Sequence, residues 1–396
     1  MLTEEVYMVQ PPGFESSDMS LVCKLHKALY GLKQAPKAWF ERLKSSLLSF
    51  GFKSSRCDPS LFILHTQAHC IFILVYVDDI IITGNSKLAI KNLVHQLNSE
   101  FSLKDLGILD YFLGIEVHHS PSGSLLLSQT KYIKDLLQKA NMINANSMPS
   151  PMASSTKLSK FGSVSDPTFF RSIVGALQYA TITRPEISYS VNIVCQFLSN
   201  PLEDHWKAVK RILRYLQGTL HHGLMLTPAS STEPIAITGF CDTDWASDPD
   251  DRRSTSGACI FLGPNLVSWW ARKQTLLARS SAEAEYRSLA QAFAEIIWIQ
   301  SLLKELQIKS KIPHIYCDNL SAVSLAHNPV LHSRTKHMEL DIFFERKGYK
   351  EGSECLAWPA QDQWADVLTK PLSTARFLYL RDKLRVCDTL DLKGGC

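Results

Sequence analysis

Two adjacent aspartates, Asp78 and Asp79, lie at the centre of the apolar run ILVYVDDIII. The flanking runs CIFILVYV and IIITG are rich in β-branched and aromatic residues and predict two short strands, the second ending at Gly84. Such a hairpin would present both carboxylates at its tip, at the edge of a cavity. Because unpaired buried carboxylates are costly, we expect a divalent cation as their partner, and hard cations such as Mg²⁺ choose oxygen ligands.

Four acidic residues in the last part of the chain could form a second metal site: Asp242, Glu285, Asp318 and Asp366. They are separated by 43, 33 and 48 positions, so only tertiary structure can bring them together. Converged carboxylates would hold two Mg²⁺ ions, of which one activates a water and the other stabilises a leaving oxygen. Asp244 and Asp248 lie nearer the following turn, and we expect them to be solvated.

The choice of Glu285 over its neighbour Glu283 follows from helix geometry. Glu285 shares a helical face with Leu289 and Phe293, so its side chain should point toward a sheet. Glu283 groups with Arg287 on another face, which favours Glu285 as the ligand.

The elements that must position these four acids follow a definite order. Three successive β-type runs predict an antiparallel meander, and a long helix follows, opened by Ser280 with Glu283 three residues later. The remaining elements are the strand HIYCD, the helices NLSAVSLAHN and TKHMELDIFFERK, the strand ECLAWP and a final helix starting near Gln361. Three strands, a helix and then alternating strands and helices is the order of the ribonuclease H fold.

Length and composition predict a multidomain globular protein. The chain has 396 residues, 45% of them hydrophobic, with a net charge of +4 that is compatible with a polyanionic partner. Its ten cysteines include no CxxC pair, which argues against a zinc site or disulfide framework and indicates a reducing, intracellular compartment. No apolar run reaches membrane-spanning length, so we expect no membrane partner.

Two polar stretches divide the chain. The Ser- and Pro-rich stretch 145–167 predicts a linker, and the shorter stretch 227–234 precedes the β-rich last block. The expected segments are 1–144, the linker 145–167, a helical region 168–234, a ribonuclease H-like domain 235–372 and a C-terminal tail 373–396.

A long, ordered set of motifs resembles the Pol polyprotein of copia-type LTR retrotransposons. It runs through LHKALYGLKQAPKAWF, YVDD, KDLGILDYFLGIEV, HWKAVKRILRYLQGT, CDTDWASDPDDRRSTSG, YCDNLSA and WADVLTKPL. The resemblance implies an α+β and α/β multidomain fold: a partial reverse transcriptase palm, thumb and connection in 1–234, followed by the ribonuclease H-like domain.

For the first block, the resemblance implies a palm in which Asp78 and Asp79 hold two Mg²⁺ ions that activate the primer 3′-hydroxyl and stabilise the departing pyrophosphate. The family's third carboxylate lies in a DVKNAFLHG-like segment before EEVYM, so we expect this chain, starting at MLTEEVYM, to be inactive alone as a polymerase. Lys33 and Gln34 are candidates for nucleotide contacts, and the alternative is that Gln34 merely enters a helix.

The helix DHWKAVKRILRYLQG, ended by Gly218, offers a basic face for template phosphates. That face consists of Lys207, Lys210, Arg211 and Arg214. The alternative is an ordinary solvated helix surface.

The resemblance therefore implies RNA-directed DNA synthesis together with degradation of RNA in RNA–DNA hybrids, with Mg²⁺, or alternatively Mn²⁺, as the cofactor. Its partners would be RNA–DNA hybrids, primer–template nucleic acid, deoxynucleotides if the polymerase is completed, and other Pol segments. The location would be cytoplasmic, in a virus-like particle, or nuclear. The alternative is a non-catalytic nucleic-acid-binding remnant, which the FFERKGYK stretch favours because Phe343 replaces an expected histidine. His337 is a further candidate for proton transfer or product release.

Overall fold

The structure is a computed structural model, and it divides into two compact units, Met1–Ile108 and Leu109–Cys396, which are described separately. The residues that it describes are 5–27, 29, 31–101, 103–163, 166–229, 233–327 and 352–389.

The first unit is built on a four-stranded antiparallel sheet with the strand order β3-β4-β5-β6. Its elements are β1 (Val6–Val9), β2 (Val22–Leu25), α1 (Ala35–Ser49), β3 (Lys53–Ser54), β4 (Leu61–His65), β5 (Cys70–Tyr76), β6 (Asp79–Gly84) and α2 (Lys87–Phe101). Strands β1 and β2 form a separate antiparallel pair. The core of the unit combines Leu43 and Leu47 of α1 with Phe62, Ile73 and Leu97, all fully or almost fully buried.

Helix α1 confirms the helix predicted from QAPKAWFERLKSSLLSFGF. Pro36 lies in its first turn, where a missing backbone N–H costs nothing. Gly51 follows the helix with φ of 91°, a conformation that a side chain disfavours.

The second unit contains two five-stranded sheets and most of the helices. Its first part comprises β7 (Tyr111–Phe112), β8 (Ile115–His119), β9 (Leu125–Ser128), α3 (Thr130–Lys139), α4 (Pro167–Ala180), the 3₁₀ turn η1 (Pro185–Ile187), α5 (Ser188–Cys195), α6 (Glu203–Gly218) and β10 (His222–Leu226). Its second part comprises β11 (Ile237–Asp244), β12 (Thr255–Leu262), β13 (Asn265–Lys273), α7 (Ser281–Glu305), β14 (His314–Cys317), α8 (Leu320–His327), β15 (Glu354–Ala357), the 3₁₀ turns η2 (Ala360–Asp362) and η3 (Trp364–Leu368), α9 (Thr374–Lys383) and β16 (Val386–Asp388).

The predicted meander is present in the second sheet, whose strand order is β13-β12-β11-β14-β15. Strands β11, β12 and β13 pair antiparallel, whereas β14 runs parallel to both β11 and β15. Helix α7 packs on one face of this sheet, where Cys241 of β11 joins a buried cluster with Phe293 and Ile296. The opposite face carries Phe240 and packs against η3, in a core shared with α3 to α6.

The segment expected to be a tail is structured through residue 389. Strand β16 pairs with β10, and the sheet continues in the order β16-β10-β9-β8-β7. Phe377 and Leu380 of α9 are buried in the core shared with α6. Residues 373–389 are therefore part of the second unit and not an appendage to it.

The polar stretch expected to be a linker also packs onto the second unit. The Arg214 Nε of α6 donates to the Asn146 carbonyl oxygen at 2.6 Å, and the Met148 backbone N–H donates to the Arg214 carbonyl at 3.3 Å. Ser150 and Met152 are buried. Polar composition predicted the absence of regular structure in this stretch, but it does not distinguish a free linker from a coil held by basic side chains.

The final helix predicted near Gln361 is wrong in position. Two 3₁₀ turns occupy 360–368, and the α-helix begins only at Thr374. The backbone of Gln363 is extended between the turns, its side-chain oxygen accepts from the Ala365 N–H at 3.2 Å, and its amide donates to the Cys241 carbonyl at 2.9 Å. The bond from Gln363 to β11 thus holds the chain in an extended conformation at a position where the local sequence favours a helical turn.

None of the helices in the described ranges is both long and apolar enough to cross a lipid bilayer.

Candidate active site

The structure brings the four acids of the last block together at one end of the β11–β14 pair. Asp242 lies on β11, Glu285 on α7, Asp318 immediately after β14 and Asp366 on η3. Asp242, Glu285 and Asp366 are 1%, 5% and 8% exposed, and Asp318 is half-buried. Four carboxylates with this little access to water can remain ionised together only with cations nearby.

Burial and mutual repulsion dominate the electrostatics of the cluster. Burial and the negative charge of Asp242 raise the pKa of Glu285 well above its usual value. The same two causes raise the pKa of Asp318 to about 6 and also raise the pKa of Asp366. These carboxylates therefore bind protons more tightly than isolated carboxylates do. The same concentration of negative charge favours the binding of a metal cation.

The acids approach the end of β11 from both faces of the sheet. Strand alternation places Asp242 on the face of Phe240, which η3 covers, and places Thr243 on the face that α7 covers. The Thr243 backbone N–H donates to Glu285 Oε1 at 3.0 Å, and Ser288 Oγ donates to the Asp242 carbonyl at 3.1 Å. These bonds fix the position of α7, and with it Glu285, against the strand that carries Asp242.

The two glutamates at the start of α7 have different surroundings. Ser280 caps the helix by accepting the Glu283 N–H at 3.2 Å, as predicted. Glu283 forms an ion pair with Arg287 at 2.7 Å and accepts the Arg279 backbone N–H at 2.9 Å. Glu285 instead faces the other acids, which is the arrangement that its helical face predicted.

A basic group that sequence reasoning missed lies inside the cluster. Lys370 Nζ lies 3.1 Å from Asp242 Oδ2 and 2.9 Å from Asp366 Oδ1. Burial lowers the pKa of Lys370, but the negative charges of Asp242 and Asp366 outweigh it and raise that pKa overall. Thr369 Oγ1 donates to Asp242 Oδ2, and Arg376 Nη2 lies 3.3 Å from Asp366 Oδ2. The sequence does contain one indication that Lys370 contacts Asp366: the two residues are four positions apart, a spacing typical of ion pairs in helices.

A second group that sequence reasoning missed is the thiol of Cys317. Its Sγ, a carboxylate oxygen of Glu285 and one of Asp318 all lie within 4.8 Å of one another. The oxygen donors of this set and of Asp242 and Asp366 suit a hard divalent cation such as Mg²⁺, so the residues present fit the expected ions.

The expectation that Asp244 and Asp248 are solvated is wrong. Both are half-buried, and burial raises the pKa of Asp244, with the charges of Asp242 and Asp366 adding to that effect. Asp248 forms an ion pair with Lys273 at 2.5 Å. The turn after β11 folds back on β13, where Lys273 pairs with Asp248, and this partly shields the side chains from solvent.

In the first unit, the predicted hairpin is present, but its aspartates are not buried. Tyr76 pairs with Asp79 across the end of β5 and β6, and Val77 and Asp78 form the turn, with φ of 49° at Val77. Asp78 and Asp79 are both exposed. The argument that two buried charges require a cation therefore fails for this pair, because the strands end before the acids begin.

The candidate nucleotide-contacting residues Lys33 and Gln34 are exposed immediately before α1, and Gln34 is its N-cap residue. They lie in the same unit as Asp78 and Asp79.

The basic face of α6 is only partly available to a partner. Lys207 pairs with Asp204 at 2.8 Å on the exposed surface, and Lys210 Nζ lies 5.7 Å from the centre of the Trp206 ring. Arg211 Nη2 donates to Ser150 Oγ at 3.0 Å, and Arg214 holds residue 146 as described above. Arg211 and Arg214 thus bind a distant segment of the chain, whereas Lys207 and Lys210 contact residues of α6 itself.

His337, Phe343 and the predicted helix TKHMELDIFFERK lie outside the described residues.

Comparison with known proteins places these observations in a family. A sequence model of the family described as reverse transcriptase (RNA-dependent DNA polymerase) matches residues 1–154. The chain is 48% identical over 390 residues to the retrovirus-related Pol polyprotein from transposon RE1 of Arabidopsis thaliana, covering 97% of this chain and 26% of that protein. It is 32% identical over 300 residues to a transposon Ty5-1 protein of Saccharomyces cerevisiae, covering 74% of this chain and 96% of that protein.

Among solved structures, the foamy viral protease-reverse transcriptase in complex with dsDNA is similar with a TM-score of 0.43 and 14% identity, covering 85% of this chain and 60% of that one.

The strand order and helix placement around β11 define a ribonuclease H-like fold. The chain belongs to the copia-type retrotransposon Pol polyproteins, with a reverse transcriptase region matched over residues 1–154. It spans about a quarter of the length of the curated Pol polyproteins that it matches, namely 26%, 27% and 29%.

Proposed function

We propose that the second unit cleaves the RNA strand of RNA–DNA hybrids with divalent metal ions. The observation that carries the proposal is the convergence of Asp242, Glu285, Asp318 and Asp366 at the end of the β11–β14 pair. Their carboxylates would hold two Mg²⁺ ions, for which Mn²⁺ could substitute. When bound, the ions activate a water and stabilise the leaving 3′-oxygen of the cleaved strand.

The surrounding residues prepare the carboxylates for this task. The Thr243 backbone N–H holds one oxygen of Glu285, and Thr369 holds one oxygen of Asp242, so neither side chain must be ordered when substrate binds. Lys370 and Arg376 reduce the net negative charge that an approaching phosphate meets.

A cleavage assay with the full chain tests this proposal. We expect Mg²⁺-dependent cutting of a labelled RNA–DNA hybrid, with at least about a hundredfold loss in Asp318→Asn, a size common for removal of one charge-stabilising group. Asp135→Asn is the matched control, because Asp135 is exposed on α3 of the same unit. Equal cutting by the wild type and Asp318→Asn would contradict the proposal, and hybrid binding without any cutting would identify a non-catalytic remnant.

We propose that the first unit belongs to the palm of a reverse transcriptase, and that the thumb and connection regions follow through residue 234, within the second unit. Asp78 and Asp79 would hold two ions beside a third carboxylate supplied from upstream in the polyprotein, and Lys33 and Gln34 would contact the incoming deoxynucleotide. The exposed hairpin tip supports this proposal, since carboxylates that serve an external substrate must be accessible. Primer extension by the chain with and without an upstream Pol segment tests it, with Asp79→Asn expected to abolish any extension.

We also propose that Lys207 and Lys210 contact phosphates of the hybrid or of the primer–template, while Arg211 and Arg214 shape the face by holding residues 146–150. Replacing both lysines by glutamine should weaken hybrid binding equally for all sequences and reduce its salt dependence. An unchanged salt dependence would remove this face from the interface.

A further inference from the structure

The feature that carries a further inference is the position of Lys370 within the acidic cluster. Its ammonium group bridges two carboxylates on different elements, Asp242 of β11 and Asp366 of η3, at 3.1 and 2.9 Å. The carboxylate side chains are 2% and 12% exposed, and the lysine side chain is 34% exposed. The bridge therefore joins two nearly buried carboxylates, while the lysine side chain is still accessible to solvent.

The bridge is held by the turn that carries it. The Lys370 backbone N–H donates to the Asp366 carbonyl at 3.1 Å, so the lysine and the aspartate belong to one turn. Arg376 Nη2 also donates to the Gln363 carbonyl at 3.1 Å and engages the second oxygen of Asp366. Each oxygen of Asp366 thus has its own cationic partner, and both partners belong to the segment that follows η3.

The other half of the cluster is different. Among the residues that the structure describes, neither Glu285 nor Asp318 forms an ion pair with a basic side chain, and their oxygens lie within 4.8 Å of each other. An incoming divalent ion would not have to displace a basic side chain from these oxygens. An ion that bridges Asp242 and Asp366 must instead take the place of the Lys370 ammonium group, because both cations would occupy the space between the same two carboxylates.

We propose that Lys370 is a positioning residue that acts as an internal competitor for the second divalent ion. The first ion binds at Glu285 and Asp318, and the second binds only when it displaces Lys370 from Asp242 and Asp366. This inference rests on the proposed nuclease function, because it assigns an order of ion binding to that same site. Displacement also frees a positive charge at the mouth of the site, where the scissile phosphate would lie.

Ion binding to the full chain without nucleic acid tests the order directly. Calcium is the probe, and binding is measured by isothermal titration calorimetry and by the rise in the thermal unfolding midpoint. We expect two phases in the wild type, and a second phase shifted to at least about tenfold lower calcium in Lys370→Met, a size typical of coupling between two sites. Lys370→Arg, which retains the charge, should keep the second phase near its wild-type concentration.

The matched control is Lys304→Met, since Lys304 is an exposed lysine on α7 of the same unit. It should leave both phases unchanged. An identical second phase in Lys370→Met and the wild type would overturn the inference.

A second readout needs no variant and covers the case in which Lys370→Met does not fold. Amine acylation of the wild type, read by mass spectrometry, should label Lys370 slowly in EDTA and at least about tenfold faster at calcium concentrations that fill the second phase. Continued protection at saturating calcium would overturn the inference. If calcium binds but the acylation rate of Lys370 does not change, only this inference fails and the proposed nuclease function stands. If the chain neither binds calcium nor cleaves the hybrid, the proposed function itself is contradicted.

Discussion

Replacement of Asp318 by asparagine should make the metal-free protein more stable above pH 6, although it removes a proposed metal ligand. Burial and the charge of Asp242 raise the pKa of this carboxyl in the folded state from 3.8 to about 6. The folded protein therefore binds the Asp318 proton more tightly than the unfolded chain does. The stability that this preference contributes is complete below pH 3.8 and is lost as the pH rises through 6.

The magnitude follows from the size of the shift. A difference of this size corresponds to about 3 kcal/mol between the protonation states, and solvent around a half-buried carboxylate reduces the expected effect to about 1–2 kcal/mol. Asparagine is neutral at every pH, so it escapes this penalty. The gain in unfolding free energy from Asp318→Asn should be complete at pH 8. It should be about a third as large at pH 4.5, where the folded wild type still keeps the Asp318 proton.

Urea unfolding of the full chain in EDTA at pH 8 and pH 4.5 measures this difference. Asp135→Asn, on the exposed face of α3, controls for the change from acid to amide and should alter the stability by less than about 0.5 kcal/mol at either pH. The reasoning is refuted if Asp318→Asn is no more stable than the wild type at pH 8, or if its gain is the same at both pH values.

The remaining predictions concern the packing that supports the site. Glu186→Gln removes one partner of the fully buried ion pair that Glu186 forms with Arg184 at 2.7 Å, and should cost about 3–5 kcal/mol in urea unfolding, whereas the exposed Glu203→Gln should cost less than about 0.5. Equal effects would contradict the burial argument. Gly257→Ala places a methyl group 2.7 Å from the η3 turn, and should lower the unfolding free energy by about 1–3 kcal/mol and weaken calcium binding. Gly175→Ala, in open space on α4, should instead stabilise by about 0.5–1 kcal/mol, and a loss of calcium binding in both variants would show that the Gly257 effect is not local.

The parts of the site that sequence reasoning predicted depend on local periodicity. Ser280 followed by Glu283 marks the start of α7, and the apolar residues that share a face with Glu285 show which acid turns toward the sheet. The antiparallel meander of β11, β12 and β13 follows from three consecutive strand patterns. These features need only information that lies within a few turns of each residue.

The parts that sequence reasoning missed depend on docking between distant segments. Lys370 enters the cluster because η3 packs against Gly257 of β12, a contact that no local pattern encodes. Asp244 is half-buried because the chain folds back after β11. At the hairpin, the error is in the opposite direction. The apolar neighbours of Asp78 and Asp79 indicated that these aspartates are buried, but both are exposed because the paired strands end at the turn that carries them.

The pairing of β10 with β16 has a consequence for how the chain is made. Strand β10 lies between β9, which precedes it in the chain, and β16, which is synthesised after the entire ribonuclease H-like region. A nascent chain that has already extruded Asp242 and Glu285 still lacks α9 and β16, whose buried residues include Phe377, Leu380 and Val386. The second unit can therefore complete its core only after Val386–Asp388 has been synthesised, so the candidate metal site gains its full support later than its four acids are made.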